Sequence, residues 1–401
     1  MKNILLLTNI YPTNDKSYTG TSVCHYFTKE WVKSGYNVKV VHFESLFPRP
    51  FLWVGAMFTD FIKAKTGCVV YPNMPRKDVH YEVEGIPVHF IPIKKLIPHS
   101  NYKEKDILKA FNLICDAMEK EHFVPDVITS HFALPQLQML YLFKQKYPQI
   151  KNCLVLHSGG ESLPSIYTEY KKYMEAVDTW GFRSVAFQNQ FEQLYGVHPQ
   201  EFLCYSGIPD DYIQPVSRDF SNGVHRFSFV GSLFKLKRVE DTLNALNQTM
   251  VGSDYIFDIV GDGAEMGNLK AQVESLKMSE NVIFHGQQPR DKAQQIVAQS
   301  DCFIMVSTRE AFGLVYLEAM AKGCITIATK GQGIDGIIKD GENGFLCESE
   351  NIEALSSLIR KIVSLNPSEL KKISDNALAT AANLTNQKVA EYYIESILPK
   401  D

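Results

Sequence analysis

The chain has 401 residues, of which 45% are hydrophobic and 21% are charged, and its formal net charge at pH 7 is −4. This length is too great for one ordinary core and predicts two domains of roughly 100 to 200 residues each. The slightly acidic charge gives no reason to expect nucleic acid as a partner. No segment reaches the roughly 20 apolar residues of a membrane span.

The eight cysteines are scattered along the sequence and form no CxxC pair. This spacing favours neither a zinc site nor a small disulfide framework, so we expect reduced packing residues in a cytoplasmic protein. The apolar run after Lys2 is too short for a signal peptide and is predicted to form the first strand.

A first βαβ unit is predicted from a buried strand at Asn3–Thr8, a helix at 23–34 and a strand at 38–43. Gly20 stands just before this helix, where a small residue lets the backbone approach a phosphate; an ordinary turn is the alternative. Residues 47–58 then break the alternation with an apolar, aromatic run. This run is interpreted either as a buried helix over the sheet or as an amphipathic surface that meets a membrane or a lipid-linked acceptor.

Two later strands, at 125–132 and 152–157, are predicted to end at His131 and His157. Since the carboxyl ends of parallel strands share one edge of a sheet, we expect both histidines at that edge. For each of them, a structural histidine satisfied by its neighbours is the alternative. The other elements predicted in this half are a hairpin at 81–92, helices at 102–120, 134–145 and 165–178, a strand at 184–188 and a helix at 190–195.

The second half opens with a predicted strand at 227–230 and a basic loop before the next helix. The loop contains Lys235, Lys237 and Arg238. Basic groups above a strand end suit a phosphate, although loop cations are commonly solvated. Further strands are predicted at 255–260, 282–285, 303–306, 325–329 and 344–347, and the last helices at 352–365, 368–384 and 386–398. The alternation predicts a mostly parallel sheet in each half.

Residues 307–323 are predicted to form a polar loop followed by a helix. Glu310 lies in the loop, at the end of the preceding strand. Glu318 lies in the predicted helix, about two turns further on. The backbone N–H groups of residues 312–314 have no partner within the helix and suit phosphate or sugar oxygens. The two carboxylates suit hydroxyl groups, although an isolated glutamate is more often simply solvated.

Two glutamates, Glu310 and Glu318, flank a Phe312-Gly313-Leu314 run, and a Gly-Glu-Asn-Gly-Phe-Leu motif follows at 341–346. This pattern resembles the retaining nucleotide-sugar glycosyltransferases of family 4, in group 1. The resemblance implies an α/β protein of GT-B architecture, with two Rossmann-like, doubly wound domains facing a central cleft. The implied parts are an acceptor-binding domain at 1–208, a nucleotide-sugar-binding domain at 209–384 and a C-terminal helix at 385–401 that packs back on the first domain.

The resemblance also implies roles for residues of the second domain. Glu310 would bind the donor sugar, Glu318 the ribose hydroxyls and Lys237 the diphosphate. The phosphates would also meet the helix start at 312–314, and Gly286 would lie beside the nucleobase, which is recognised largely through backbone groups.

Some positions depart from the family pattern. Ser232 stands where the family often has arginine, so either Arg238 or Lys235 would supply the second cation for the diphosphate. Gly336 stands where the family frequently has glutamate. The family has two glycines near Gly20, and this chain has one.

In the first domain, the resemblance implies that His131 faces the donor sugar and that His157 and Glu161 lie on the acceptor side. The catalytic residues are then Glu310, His131 and Lys237, with no metal ion and no dedicated protein base. Catalysis would be electrostatic, through cations that stabilise the leaving phosphate.

The implied function is transfer of a sugar from a UDP- or GDP-sugar to a glycan or lipid-linked acceptor, in surface polysaccharide or lipopolysaccharide synthesis. The nucleotide sugar is a substrate, and no cofactor is expected. The protein is expected in the cytoplasm, with a peripheral contact at the inner membrane face left open. Two alternatives remain: a nucleotide-sugar 2-epimerase, which would need no acceptor, and a non-catalytic subunit of a glycosylation complex, which would bind neither UDP nor GDP.

Overall fold

The computed structural model describes residues 1–13, 22–48, 75–96, 100–158, 167–214 and 218–399. The chain divides into two compact units. The first unit comprises Met1–Phe182, Gln190–Cys204 and Val389–Asp401, and the second comprises Arg183–Asn189 and Tyr205–Lys388. In the described part of the chain, every helix is too short or too polar to cross a bilayer.

The first unit contains an eight-stranded sheet. Its strands are β1 Asn3–Thr8, β2 Asn37–Leu46, β3 Val79–Val83, β4 Ile86–Lys94, β5 Val127–His131, β6 Lys151–Leu156, β7 Thr179–Phe182 and β8 Glu201–Leu203. Their spatial order is β3-β4-β2-β1-β5-β6-β7-β8. Adjacent strands pair in parallel, except that β3 and β4 form an antiparallel hairpin, which confirms the hairpin predicted at 81–92.

The second unit contains a six-stranded parallel sheet. Its strands are β9 Arg226–Val230, β10 Ile256–Val260, β11 Val282–Gly286, β12 Cys302–Ile304, β13 Ile325–Thr329 and β14 Phe345–Cys347. Their order is β11-β10-β9-β12-β13-β14, so the winding direction reverses between β9 and β12. In a doubly wound sheet, a ligand crevice lies outside the carboxyl ends of the strands at such a reversal.

Helices connect the strands in both units. They are α1 Val23–Lys33, α2 Glu104–Lys120, α3 Gln136–Lys146, α4 Tyr167–Met174, α5 Val185–Tyr195, α6 Val239–Thr249, α7 Met266–Ser275, α8 Arg290–Gln299, α9 Leu314–Met320, α10 Ile352–Ser364, α11 Pro367–Ala382 and α12 Asn386–Ile397. Two short 3-10 turns lie at Asp210–Tyr212 and Lys235–Lys237.

The central strands are apolar because both faces of a parallel sheet are covered by helices. All five residues of β13 and all three of β12 are buried. Each unit has its own apolar core. The cysteines of the described residues are buried thiols.

The strand predicted at 184–188 is wrong. The strand is β7, Thr179–Phe182, and residues 185–188 form the first turn of α5. The Ser184 hydroxyl accepts a hydrogen bond of 3.2 Å from the Phe187 N–H, as a residue that begins a helix does. Short apolar runs carry no clear period, so the sequence alone did not distinguish the two structures. The helix predicted up to residue 178 likewise ends at Met174, before β7.

Candidate functional site

The loop after β9 is fixed to the loop after β10. The Gly231 N–H donates to the Val260 carbonyl at 3.0 Å, and the Leu233 N–H donates to the Asp262 carbonyl at 2.9 Å. A Cβ atom on Gly261 would lie 1.8 Å from the Gly231 carbonyl oxygen, so only glycine permits this approach. The contacts hold the loop in place above the end of β9.

Lys237 and Glu310 form an ion pair between two loops of the second unit. The Lys237 ammonium donates to Glu310 Oε2 at 2.5 Å, and their side chains are only 17% and 16% exposed. Lys237 follows β9 and Glu310 follows β12, the two strands between which the sheet reverses its winding. The pair therefore occupies the switch point of the sheet.

The backbone of Glu310 is held from a third loop, which follows β13. The Gln332 side chain accepts a hydrogen bond of 3.0 Å from the Glu310 N–H, and the Gly333 N–H donates to the Glu310 carbonyl at 3.0 Å. Three loops at one sheet edge thus fix the position of this carboxylate.

Helix α9 begins directly after the loop that contains Glu310. Gly313 precedes it with φ +80°, and a Cβ there would lie 2.4 Å from the ring of Tyr316. Phe312 is buried, with the Arg183 guanidinium 5.4 Å from its ring centre. No described residue accepts a hydrogen bond from the N–H groups of Phe312, Gly313 or Leu314.

Glu318 lies in the second turn of α9 and is 8% exposed. Gln294 donates to its Oε2 at 2.6 Å, and Arg290 donates to its Oε1. The Arg290 guanidinium also lies 5.1 Å from the ring centre of Tyr212. Arg290 and Gln294 were not predicted from the sequence; their spacing of four residues on one helix was the available signal.

Arg238 is paired within its own surroundings. It has a left-handed backbone, with φ +52°, and donates to Asp241 at 2.8 Å. It also lies 3.2 Å from Glu240 and 3.4 Å from Glu350. These carboxylates offset its charge, whereas Lys235 is exposed.

Two other predicted positions of this unit differ in their surroundings. Ser232 is exposed in the loop after β9. Gly286 ends β11 with φ +66°, and its carbonyl accepts a 2.9 Å hydrogen bond from the Gly261 N–H. Gly286 thus lies at the same sheet edge as the loops that hold Lys237 and Glu310.

In the first unit, the two predicted histidines are in direct contact. His131 is fully buried, and its Nδ1 lies 2.9 Å from His157 Nε2 and its Nε2 lies 3.2 Å from the Tyr393 hydroxyl. His157 is partly exposed and stacks on Phe132, which adopts a left-handed backbone with φ +73°. A left-handed conformation is rare for a bulky residue and costs free energy, so the fold holds this contact against strain.

Several predicted positions lie outside the described residues. They are Gly20, Glu161 and residues 49–58 of the aromatic run.

Comparison with known proteins gives a family match in the second half of the chain. Residues 216–380 match the family described as glycosyl transferases group 1. The N-acetyl-alpha-D-glucosaminyl L-malate synthase of Bacillus anthracis is 26% identical over 297 residues, covering 68% of this chain and 76% of that protein.

Solved structures with similar folds extend over nearly the whole chain. The apo form of the lipopolysaccharide outer core galactosyltransferase WaaB matches with a TM-score of 0.70 and 16% identity, over 98% of both chains. Anabaena Alr3699/HepE in complex with UDP matches with a TM-score of 0.66 and 18% identity, over 99% of both chains. At these identities the matches show the fold.

The doubly wound sheets and the solved structures agree on the fold, and the family match and the named relatives agree on the class of enzyme. Glycosyltransferases of group 1 use nucleotide-sugar donors. The chain is a glycosyltransferase enzyme with the GT-B fold, and its residues 216–380 belong to the group 1 glycosyltransferases.

Proposed function

We propose that this enzyme binds the diphosphate of a UDP- or GDP-sugar at the switch point of the second unit's sheet and transfers the sugar with retention of configuration. The observation that carries the proposal is the ion pair of Lys237 with Glu310, between the loops after β9 and β12. Ligands of doubly wound sheets bind at this point, and an ammonium group held there suits a diphosphate.

Lys237 stabilises the leaving nucleotide diphosphate, on which negative charge grows as the glycosidic bond breaks. A cation held in place before the reaction requires little reorganisation in the transition state. Glu310 accepts hydrogen bonds from hydroxyls of the donor sugar and, through its bond with Lys237, orients the ammonium group. The N–H groups of Phe312, Gly313 and Leu314 add donors for phosphate oxygens.

Glu318 receives the ribose hydroxyls of the donor. Its two oxygens are already held by Arg290 and Gln294, so the carboxylate is oriented before the nucleotide arrives. Backbone groups near Gly286 contact the base. Neighbouring carboxylates offset the charge of Arg238, so Arg238 stabilises its own loop. Ser232 donates a hydrogen bond from its hydroxyl to the diphosphate.

The first unit binds the acceptor. His157 is the partly exposed member of the histidine pair, and it faces the acceptor together with Glu161. His131, on the donor-sugar side, is buried and acts through its 2.9 Å contact with His157, which fixes the orientation of the His157 ring.

The names of the relatives support two acceptor classes. One relative is named as acting on malate, a small hydroxy acid, and one similar structure is of a lipopolysaccharide outer core enzyme. We propose that the acceptor is a glycan or a lipid-linked molecule of surface polysaccharide or lipopolysaccharide synthesis. The protein would then make a peripheral contact at the inner membrane face.

The test begins with UDP and GDP in thermal unfolding. A ligand at a hundredfold excess over its Kd stabilises the folded state by about 2.7 kcal/mol. Sugars carried by the binding nucleotide are then incubated with hydroxy acids and with lipopolysaccharide core glycans. Transfer only when an acceptor is present supports the proposal, whereas epimerised nucleotide sugar formed from the donor alone contradicts it.

Variants connect this activity to the switch point. Lys237→Met and Glu310→Gln are each expected to lower kcat/KM by about 100-fold or more, the usual effect of removing one electrostatic contact to the transition state. Lys372→Met changes an exposed lysine of α11 and should leave turnover unchanged. Wild-type turnover by either switch-point variant would overturn the assignment.

A further inference from the structure

The β3–β4 hairpin of the first unit brings together three side chains that ligate metals. His80 on β3 lies directly opposite His89 on β4, and their rings stack with centres 4.0 Å apart and an angle of 18° between planes. Asp78 immediately precedes β3. One ligand atom from each of these three residues lies within 4.8 Å of the other two.

A buried nitrogen points into this cluster without a hydrogen bond. His89 is only 8% exposed, and its Nε2 has no hydrogen-bond partner among the described residues. It lies 3.5 Å from Asp78 Oδ2, beyond the length of a strong hydrogen bond. A buried polar atom without a partner costs free energy, so the nitrogen needs an external partner that approaches from the side of Asp78.

The cluster opens into a surface groove of about 610 Å³. The other side of the groove is formed near the C-terminal end of α2 by Asp116, Lys120 and Glu121. The C-terminal end of a helix carries partial negative charge, which favours a bound cation. Lys39 pairs with Glu121 and reduces that carboxylate's contribution, so the three hairpin residues are the principal ligands.

The donor set identifies the class of metal. Two imidazole nitrogens and one carboxylate oxygen suit borderline ions such as Zn²⁺, whereas Mg²⁺ and Ca²⁺ prefer oxygen ligands. Tetrahedral zinc with bonds of about 2.0 to 2.1 Å holds its ligand atoms roughly 3.4 Å apart. Small side-chain rotations of the exposed Asp78 and His80 would close the present separations.

We propose that Asp78, His80 and His89 bind one Zn²⁺ ion, with the fourth position open to water or to Glu121. The ion would join the edge strand β3 to β4 and fix the residues that precede β3. The site lies in the first unit and is independent of the nucleotide-sugar site, for which no metal is invoked.

The test uses the full chain without an affinity tag, stripped with a chelator and titrated with ZnCl₂ in a calorimeter. Wild-type protein is expected to bind one ion per chain. Asp78→Asn and His80→Gln change exposed residues and should preserve the fold. Each is expected to weaken zinc binding by roughly 100-fold, because removing even a residue that only supports a metal ligand lowers the affinity by up to about that factor. His198→Gln, a histidine of the same unit outside the groove, should bind like wild type.

A Co²⁺ titration provides a second measurement. Wild-type protein should give the visible absorption bands of four-coordinate cobalt, and the two ligand variants should lose them. Failure of wild-type protein to bind Zn²⁺ in a one-to-one ratio, or equal affinity in wild type and both ligand variants, would overturn the proposal. Mg²⁺ binding that survives the His80→Gln change would also contradict it, because the site would then be defined by oxygen ligands alone.

Discussion

At the residue scale, Glu44 on β2 gives the protein a pH-dependent stability. Burial raises the pKa of this carboxyl to about 7, against the opposing effects of the Ser45 N–H and the Lys95 ammonium. The folded state therefore keeps the proton over a range, between the ordinary pKa of 4.5 and about 7, in which the unfolded chain loses it. The free energy of unfolding must fall as pH rises through that range, and the loss is complete above it.

Glu44→Gln should remove this penalty. At pH 8 the variant is expected to be more stable than wild type by up to about 3 kcal/mol, and at pH 4 the two should be nearly equal. Urea unfolding at both values measures the difference. Glu119→Gln, an exposed carboxyl of α2, serves as the control. A gain in stability that is the same at both pH values would show that ionisation of Glu44 is not its cause.

Sequence and structure differ most in how the candidate site residues are partnered. Motif spacing located Glu310, Glu318 and Lys237 individually, because a strand end and a helix start are visible in the sequence. Arg290 and Gln294 were missed because their partner lies in the next helix along the chain, and local periodicity does not reveal such tertiary contacts. Of the ion pairs of Arg238, only the one with Glu350 was hidden for the same reason, because Glu240 and Asp241 are its neighbours in sequence.

At the element scale, the start of α9 depends on glycine at position 313. Gly313 and Gly331 both have a positive φ, of +80° and +72°. A Cβ would collide with the Tyr316 ring at Gly313 but would meet nothing within 4 Å at Gly331. Gly331→Ala should therefore cost about 1 kcal/mol of stability, and Gly313→Ala about 2 to 4 kcal/mol, since overpacking adds to backbone strain.

Chemical denaturation of both variants measures these costs, and nucleotide binding gives a second readout. Gly313→Ala should also weaken nucleotide binding because it displaces the start of α9 beside Glu310. Equal stability losses in the two variants would show that the close contact with Tyr316 does not constrain this helix.

Helix α12 stabilises the first unit through its aromatic side chain Tyr393. The hydroxyl lies 2.5 Å from Thr129 Oγ1 and 3.2 Å from His131 Nε2, and Tyr393 is fully buried. Tyr393→Phe leaves two buried polar atoms without this partner and should lower the free energy of unfolding by about 1 to 3 kcal/mol. Tyr392→Phe, at a neighbour that is 51% exposed, should have little effect. Similar unfolding midpoints for both variants would contradict this role.

The elements themselves were largely predictable from apolar periodicity and helix boundaries. β1 and β13 have the predicted bounds because each is a clear run between strong breaks. The region before α5 was misassigned because Thr179–Phe182 and residues 184–188 are both short apolar runs, and burial in the sheet decided which became a strand.

At the scale of the whole molecule, two α/β halves were expected, and two doubly wound sheets are present. Alternating strands and helices require parallel pairing, but they do not fix the order of the strands. The order came only from the structure, and it is the order that puts the loops of Lys237 and Glu310 at one switch point. In the acceptor half, Gly20 and Glu161 lie outside the described residues, so their predicted roles stay predictions.

The most direct test compares binding of a nucleoside diphosphate with binding of pyrophosphate. Wild-type protein, Lys237→Met and Glu318→Gln are titrated with UDP, GDP and pyrophosphate in a calorimeter. Lys237→Met should weaken the binding of both the preferred nucleotide and pyrophosphate by roughly tenfold or more, which corresponds to about 1.4 kcal/mol of binding free energy. Glu318→Gln should weaken the binding of the nucleotide and leave the binding of pyrophosphate unchanged, because pyrophosphate has no ribose. If Lys237→Met binds UDP and GDP as wild type does, the diphosphate does not bind at this switch point.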